Sequence, residues 1–441
     1  MVEFCLTGQR AVQARLRGER ARGTLAAPMP VSRRSRRITV LVTIPWLLLA
    51  GRSRAAESPP PAPAATGATT IASAGVPLGI SYGGWRGDFR NAPQKLEAIK
   101  AIGFPLVAFI PTYAYVGLNK IDLTSGPDAA ELGAAVEAAL RGGLTVVIKP
   151  HLDPPVYHNG FDPFRSDNGS WRVGCPWRGF FDLDPMGDDY RDGVVFGALR
   201  MLKGVLDRVY AAPAKPIRLE LGVELMNSMV YGPQRWELLL AAAKKERHRL
   251  GLDGKVILSH NFTHHLEIPD DYVNRMTPAG RKALGRYIRG LDAIALSQYM
   301  DLTVAVPAAE RGQRLPTIDE VADALVIAEK NFRHDILETA LGLRAQEIPP
   351  LHIGEFGVGR GGLRHPNLWS GDATPAQERQ LALEIARGHE GLLRYLARSD
   401  GRTAQSAILW ITGAHYDIFG WERPQYANPE AVAAIKAALR R

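Results

Sequence analysis

From Val76 onward, short runs rich in β-branched and aromatic residues alternate with longer amphipathic stretches, and the pattern repeats eight times. The runs are Val76–Trp85, Pro105–Tyr113, Leu144–Asp153, Ile217–Met226, Lys255–Phe262, Asp292–Met300, Pro350–Gly357 and Ser406–Gly413. Helical spacing marks Pro93–Ile102, Asp128–Arg141, Tyr190–Tyr210, Pro233–Leu250, Ala279–Arg289, Ile318–Leu341, Pro375–Ala397 and Pro429–Leu439. Parallel strands need a crossover between them, so this alternation predicts an α/β fold built on a parallel sheet. Eight such units are the count of a (β/α)8 TIM barrel with enlarged βα loops; a doubly wound sheet is the rival arrangement. Helix starts carry their own chemistry: "TPAQE" and "NPEA" make Thr374 and Asn428 N-caps, each with proline at the first helical position. No linker composition interrupts 76–441, which reads as one domain.

The net charge of +9 invites a nucleic-acid reading, but its distribution argues against one. Residues 1–56 hold eleven arginines against Glu3 and Glu19, and the remainder has equal numbers of basic and acidic residues. The body therefore has no electrostatic footprint for a phosphate backbone. "SRRSRR" precedes an apolar run of 14 residues, Ile38–Gly51, and then small residues around Ser53 and Ala55. That is the order of a signal peptide, and the run is short for a spanning helix. Export to the periplasm or medium by a Sec or Tat signal is expected, with an uncleaved N-terminal anchor as the alternative. Met29 is a candidate start. Residues 57–75 are rich in proline and alanine and read as a tether. Cys175 alone remains beyond the leader, so no intrachain disulfide is expected in the mature chain.

In a barrel the chemistry sits at the C-terminal strand ends. Strand four, "IRLELGVELMNS", alternates with period two: Leu219, Leu221, Val223 and Leu225 toward the helices, Arg218, Glu220, Gly222 and Glu224 toward the barrel. Glu220 lies deep and has Lys149 or Arg218 as an ion partner, whereas Glu224 ends the strand with no evident partner. Strand seven, "LHIGEFG", places Leu351, Ile353 and Glu355 on one face, with Glu355 at its end. Two carboxyls over one mouth suit glycoside cleavage, in which one protonates the leaving oxygen and the other acts at the anomeric carbon. Other strand ends supply sugar-binding side chains: Trp85, Tyr113, His151, Asp153, Asn261, Tyr299 and Trp410. The long segment Tyr157–Asp184, with Trp171 and Trp177, reads as a cleft wall.

"GVEL" at 222–225, "KPHLD" at 149–153 and "HIGEFG" at 352–357, in that order of strands, resemble clan A of the glycoside hydrolases, and within it the endo-β-mannanases of family 113. The resemblance covers about 75–441. It implies Glu224 as acid/base and Glu355 as nucleophile of a retaining enzyme acting on a β-linked poly- or oligosaccharide, mannan-like among others. It also implies Tyr299 as the hydrogen-bond partner of the nucleophile and Trp410 as the floor of the central sugar site. Val223 departs from the asparagine most clan members carry before the acid/base. That departure sustains an alternative, a non-catalytic carbohydrate-binding barrel of the cell envelope.

Two other motifs lead elsewhere. Gly357–Gly362 spells G-x-G-x-x-G, but the glycines do not open a helix, so a dinucleotide site is not expected. "SHNFTHH" offers His260, His264 and His265 without a zinc spacing, so no metal and no cofactor is expected. The expected partner is a glycan, not nucleic acid, and the mature chain is expected to be a monomer without a membrane span.

Overall fold

The computed structural model describes residues 76–440 except 85, 118, 154–177, 179–180, 210–214, 264–272, 300–301, 312, 359–373, 399–400, 412–415 and 422–423. These residues belong to one compact unit, Thr70–Arg441. In chain order it contains β1 (Leu78–Gly84), α1 (Ala92–Ile102), β2 (Leu106–Gly117), β3 (Lys120–Asp122), α2 (Ala129–Arg141), β4 (Thr145–Ile148), β5 (His151–Asp153) and α3 (Phe196–Arg208). There follow β6 (Ile217–Val223), α4 (Met226–Tyr231), α5 (Pro233–Arg249), β7 (Val256–Thr263), α6 (Pro278–Gly290) and β8 (Ala293–Tyr299). The last elements are α7 (Ile318–Asn331), β9 (Leu351–Gly357), α8 (Pro375–Ala397), β10 (Ala407–Leu409) and α9 (Pro429–Leu439).

Strands β1, β2, β4, β6, β7, β8, β9 and β10 pair in parallel in that order, and β1 pairs with both β2 and β10. The sheet therefore closes on itself as a (β/α)8 TIM barrel, as the strand–helix alternation predicts. The expected caps form: Thr374 accepts a hydrogen bond from the Gln377 amide and Asn428 from the Ala431 amide.

Several strand boundaries differ from expectation, the eighth strand already ending at Leu409. The third run breaks into β4 and β5 around Lys149-Pro150, because proline brings no N–H to the ladder. The second run continues past Tyr113 to Gly117, where a turn folds β3 back antiparallel. The fourth ends at Val223, and Met226 already belongs to α4.

The barrel interior is divided. Leu106, Ala108, Ile110, Val147, Ile408 and Trp410 fill one side as a small apolar cluster. Lys149, just past β4, and Arg218, Glu220, Ser259, Asn261, Ser297 and Glu355, on β6–β9, are all buried on the other side. Charged groups inside a barrel are costly unless paired, and that side is where the candidate site forms.

Candidate active site

Both glutamates reach the mouth by interrupting the strand alternation. Between β6 and β7 the register shifts after Glu220, so that Glu220 faces Ser259 but Val223 faces Asn261. Gly222 consequently does not point inward as period two predicts. A Cβ there would lie 2.5 Å from His260 and 2.7 Å from Trp236 of α5, so only glycine fits. Val223 is likewise moved off the helix-facing core that holds Leu219 and Leu221. Glu224 then adopts φ of 55°, a left-handed backbone that glycine favours and glutamate rarely takes. Its amide bonds the Asn261 carbonyl at 2.9 Å.

Strand β9 repeats the device. Its register shifts against both neighbours, and Leu351, Ile353 and Phe356 all lie in the outer core. Glu355 therefore does not share a face with Leu351 and Ile353. The irregularity at Gly354 turns it inward instead, and a β-bulge is the ordinary means of re-aiming one side chain.

Around Glu355 the partners are dense. Lys149 Nζ lies 3.0 Å from its Oε1 and also donates to the Gly354 carbonyl at 2.8 Å. His151 Nε2 approaches the same Oε1 at 3.2 Å, and Tyr299 Oη donates to Oε2 at 2.5 Å. Burial alone would raise the Glu355 carboxyl, but Lys149, His151 and Arg178 outweigh it and hold it well below the usual carboxylate range. Burial, aided by Arg178, pushes His151 down to about 4. A neutral ring facing a carboxylate must carry its proton on Nε2, so His151 donates. Burial and then Glu355 keep the Tyr299 phenol well above its ordinary value, so it too remains a donor.

Glu224 is nearly as buried but differently attended. Arg178 NH1 lies 3.3 Å from its Oε2, while Arg178 Nε and NH2 both reach Asp153 Oδ1, at 3.0 and 2.7 Å. Burial pushes the Glu224 carboxyl up to about 7, and the charge on Glu355 adds to the rise. Arg178 and a hydrogen bond from Ser297 pull part of the way back.

Of the other expected site residues, Trp410 stacks on His151 with ring centres 5.2 Å apart and meets Tyr299 edge-on. Asn261 lies one layer below, fully buried, and donates to Ser297 Oγ at 2.7 Å. Asp153 holds Arg178. Tyr113 departs from expectation: it is paired in register with Leu152, on the face opposite His151, and its ring lies where Gly126 leaves room. The extra length of β2 is the reason, since Tyr113 is mid-strand and turned toward the outer core. Trp85, Trp171, Trp177, His264, His265 and Gly359–Gly362 lie outside the described residues. His260 is buried among Trp236, Phe262 and Tyr287 on the helix side.

Glu220 has the expected ion partner: Lys149 Nζ is 3.2 Å away, and Arg218 3.6 Å. Lys149 thus serves both glutamates, a double role the strand pattern did not reveal. Arg178 carries no signal that strand periodicity could read. Tyr416, six residues past Trp410 and packed on Tyr299, carried no signal beyond being aromatic.

No protein-family model matches the chain, and no curated protein matches its sequence. Solved structures do match in fold. A GH113 β-1,4-mannanase aligns over 83% of this chain and 98% of its own, with 16% identity and a TM-score of 0.50. The GH113 β-mannanase from Alicyclobacillus acidocaldarius, solved with ManMIm, aligns over 82% and 96%, with 16% identity and a TM-score of 0.47. The cellulose synthase subunit Z of Clostridioides difficile aligns over 82% and 99%, with 13% identity and a TM-score of 0.42. The chain has the fold of the GH113 β-1,4-mannanase aligned at 0.50.

Proposed function

We propose that this chain is an exported retaining glycoside hydrolase that cleaves a β-linked poly- or oligosaccharide. One observation supports it above the rest: two buried carboxyls share a mouth, and their surroundings push their proton affinities apart. Such a split assigns an acid and a base at neutral pH. In the first step a Glu355 oxygen attacks the anomeric carbon while Glu224 gives its proton to the departing glycosidic oxygen. In the second, Glu224 takes a proton from water, the water oxygen attacks the same carbon, and Glu355 leaves as carboxylate. Trp410, stacked on His151, offers a flat face for a pyranose ring. The arginine-rich leader is the basis for export.

β-1,4-Mannan is the first substrate to test, because the mannanase aligned at a TM-score of 0.50 has this fold. A non-catalytic carbohydrate-binding barrel is the second reading, and Val223 beside Glu224 favours it. A panel of polysaccharides decides between them. The wild type should release reducing ends from at least one glycan, and Glu355→Ala should lower the rate by a factor on the order of 10⁴–10⁶. Glu224→Gln should cost about 10²–10⁴, and less with a substrate whose leaving group needs no proton. Hydrolysis should fall as pH rises through about 7, where Glu224 loses its proton. NMR of the first-formed sugar should show the β anomer. No reducing ends from any glycan would remove the enzyme reading, and an α product would remove the double displacement.

A further inference from the structure

Arg178 is an unusual neighbour for a general acid. A guanidinium 3.3 Å from Glu224 Oε2 favours the ionised carboxylate, yet the acid must hold its proton until the glycosidic oxygen needs it. The guanidinium is not free to swing aside, because Nε and NH2 are both fixed on one oxygen of Asp153. Asp153 belongs to β5, and its negative charge stands directly behind the positive one. Among the described residues, the other titratable groups facing Glu224 are Glu355 on β9, Lys149 just past β4, Tyr299 on β8 and Tyr416 beyond β10.

We propose that Arg178 and Asp153 form a paired positioning device that sets when Glu224 holds its proton, the arginine favouring release and the aspartate limiting that pull. This role rests on the assignment of Glu224 as acid and base. Before the first step, the negative charge of Glu355 opposes Arg178 and keeps Glu224 protonated. Once Glu355 is esterified its charge is gone, Lys149 and Arg178 remain, and Glu224 is left as the carboxylate that the second step requires. The charge that appears on Glu224 during proton transfer forms beside a guanidinium already in place, so no rearrangement is needed.

The two residues predict shifts of opposite sign. In the full chain, Arg178→Met should move the alkaline limb of kcat/KM up by about one pH unit, and Asp153→Asn should move it down by about as much. Arg178→Lys keeps a cation but cannot reach Asp153 and Glu224 with separate nitrogens, so its limb should lie between those of Arg178→Met and the wild type. The carboxyl is also titrated directly, by ¹³C NMR of the protein labelled at glutamate Cδ, with Glu224→Gln identifying the signal. That titration should shift in the same two directions whether or not a substrate has been found. Failure to hydrolyse any glycan therefore counts against the glycosidase reading, while the NMR titration decides the role of the pair. Equal or same-sign shifts in Arg178→Met and Asp153→Asn would overturn it. Should Arg178→Met fail to fold, Asp153→Asn carries the test, and an unmoved or raised Glu224 titration overturns the proposal.

Discussion

Glu355 and Glu224 lie at the same mouth, both buried, and both follow a shift in strand register. Their surroundings differ in kind. Glu355 is held by Lys149, just past β4, by His151 of β5 and by Tyr299 of β8, and its backbone remains within β9. Glu224 stands just past the end of β6 on a left-handed residue, with one largely buried arginine, shared with Asp153, for an ion partner. The first environment fixes an anion in place. The second leaves a carboxyl poised between its two protonation states, which suits the acid/base role proposed for it. A difference of this sort is testable by weakening each side in turn.

The largest effect is expected on the Glu355 side. Lys149→Met leaves Glu220 and Glu355 buried without their shared cation, and removing one partner of a buried pair costs about 3–5 kcal/mol. Urea unfolding should show that loss, and the same measurement on Arg178→Met should show a smaller one, about 1–3 kcal/mol, since Glu224 can take up a proton once the cation is gone and Asp153 keeps some exposure. If the two substitutions cost the same, the contrast between an anchored and a poised carboxyl is wrong.

How much of this arrangement the sequence discloses follows from how local each signal is. Strand–helix alternation, the caps at Thr374 and Asn428, and a charge ending each of two apolar strands are written in neighbouring residues. They led to the barrel and to both glutamates. Period two then failed within those very strands, because the bulges at Gly222 and Gly354 depend on what the neighbouring strands offer. A Cβ at Gly222 would meet His260 and Trp236, and one at Gly354 would lie 1.8 Å from Asn261 Oδ1. Alternation did place Glu224 and Glu355 inward, but for a reason the structure replaces. Tyr113 failed through the same cause in reverse, since β2 outruns its apolar run and keeps alternating. Arg178 belongs to a contact whose partners, Asp153 and Glu224, are 25 and 46 residues away in the chain. No local pattern encodes that closure.

A milder probe of the anchored side is Tyr299→Phe, which removes the hydrogen bond to Glu355 Oε2 and little volume. Lys149 and His151 still hold the other oxygen, so the fold should lose only about 1–2 kcal/mol. If Glu355 is the nucleophile proposed above, the aim of its oxygen should suffer more, with kcat falling about a hundredfold and KM nearly unchanged. A variant with wild-type kcat would mean that Lys149 and His151 alone position the carboxylate.

The smallest expected effect isolates the backbone of Glu224. Glu224→Ala and Glu224→Gly both remove the carboxyl, its repulsion with Glu355 and its contact with Arg178, so those contributions cancel between them. What remains is the cost of placing a Cβ at φ of 55°. An alanine there carries the left-handed penalty of about 1–2 kcal/mol, offset in part by the greater freedom of glycine in the unfolded chain. Glu224→Gly should therefore be the more stable of the two by about 1 kcal/mol in urea unfolding, with neither variant able to protonate a leaving group. Backbone strain at functional residues persists only where the surroundings over-determine it. Here the surroundings are the bulge at Gly222 and the bond from the Glu224 amide to the Asn261 carbonyl. Equal stability of the two variants would mean that β6 relaxes once the carboxyl is gone, and that the carboxyl, held by Arg178 and Ser297, imposes the left-handed turn.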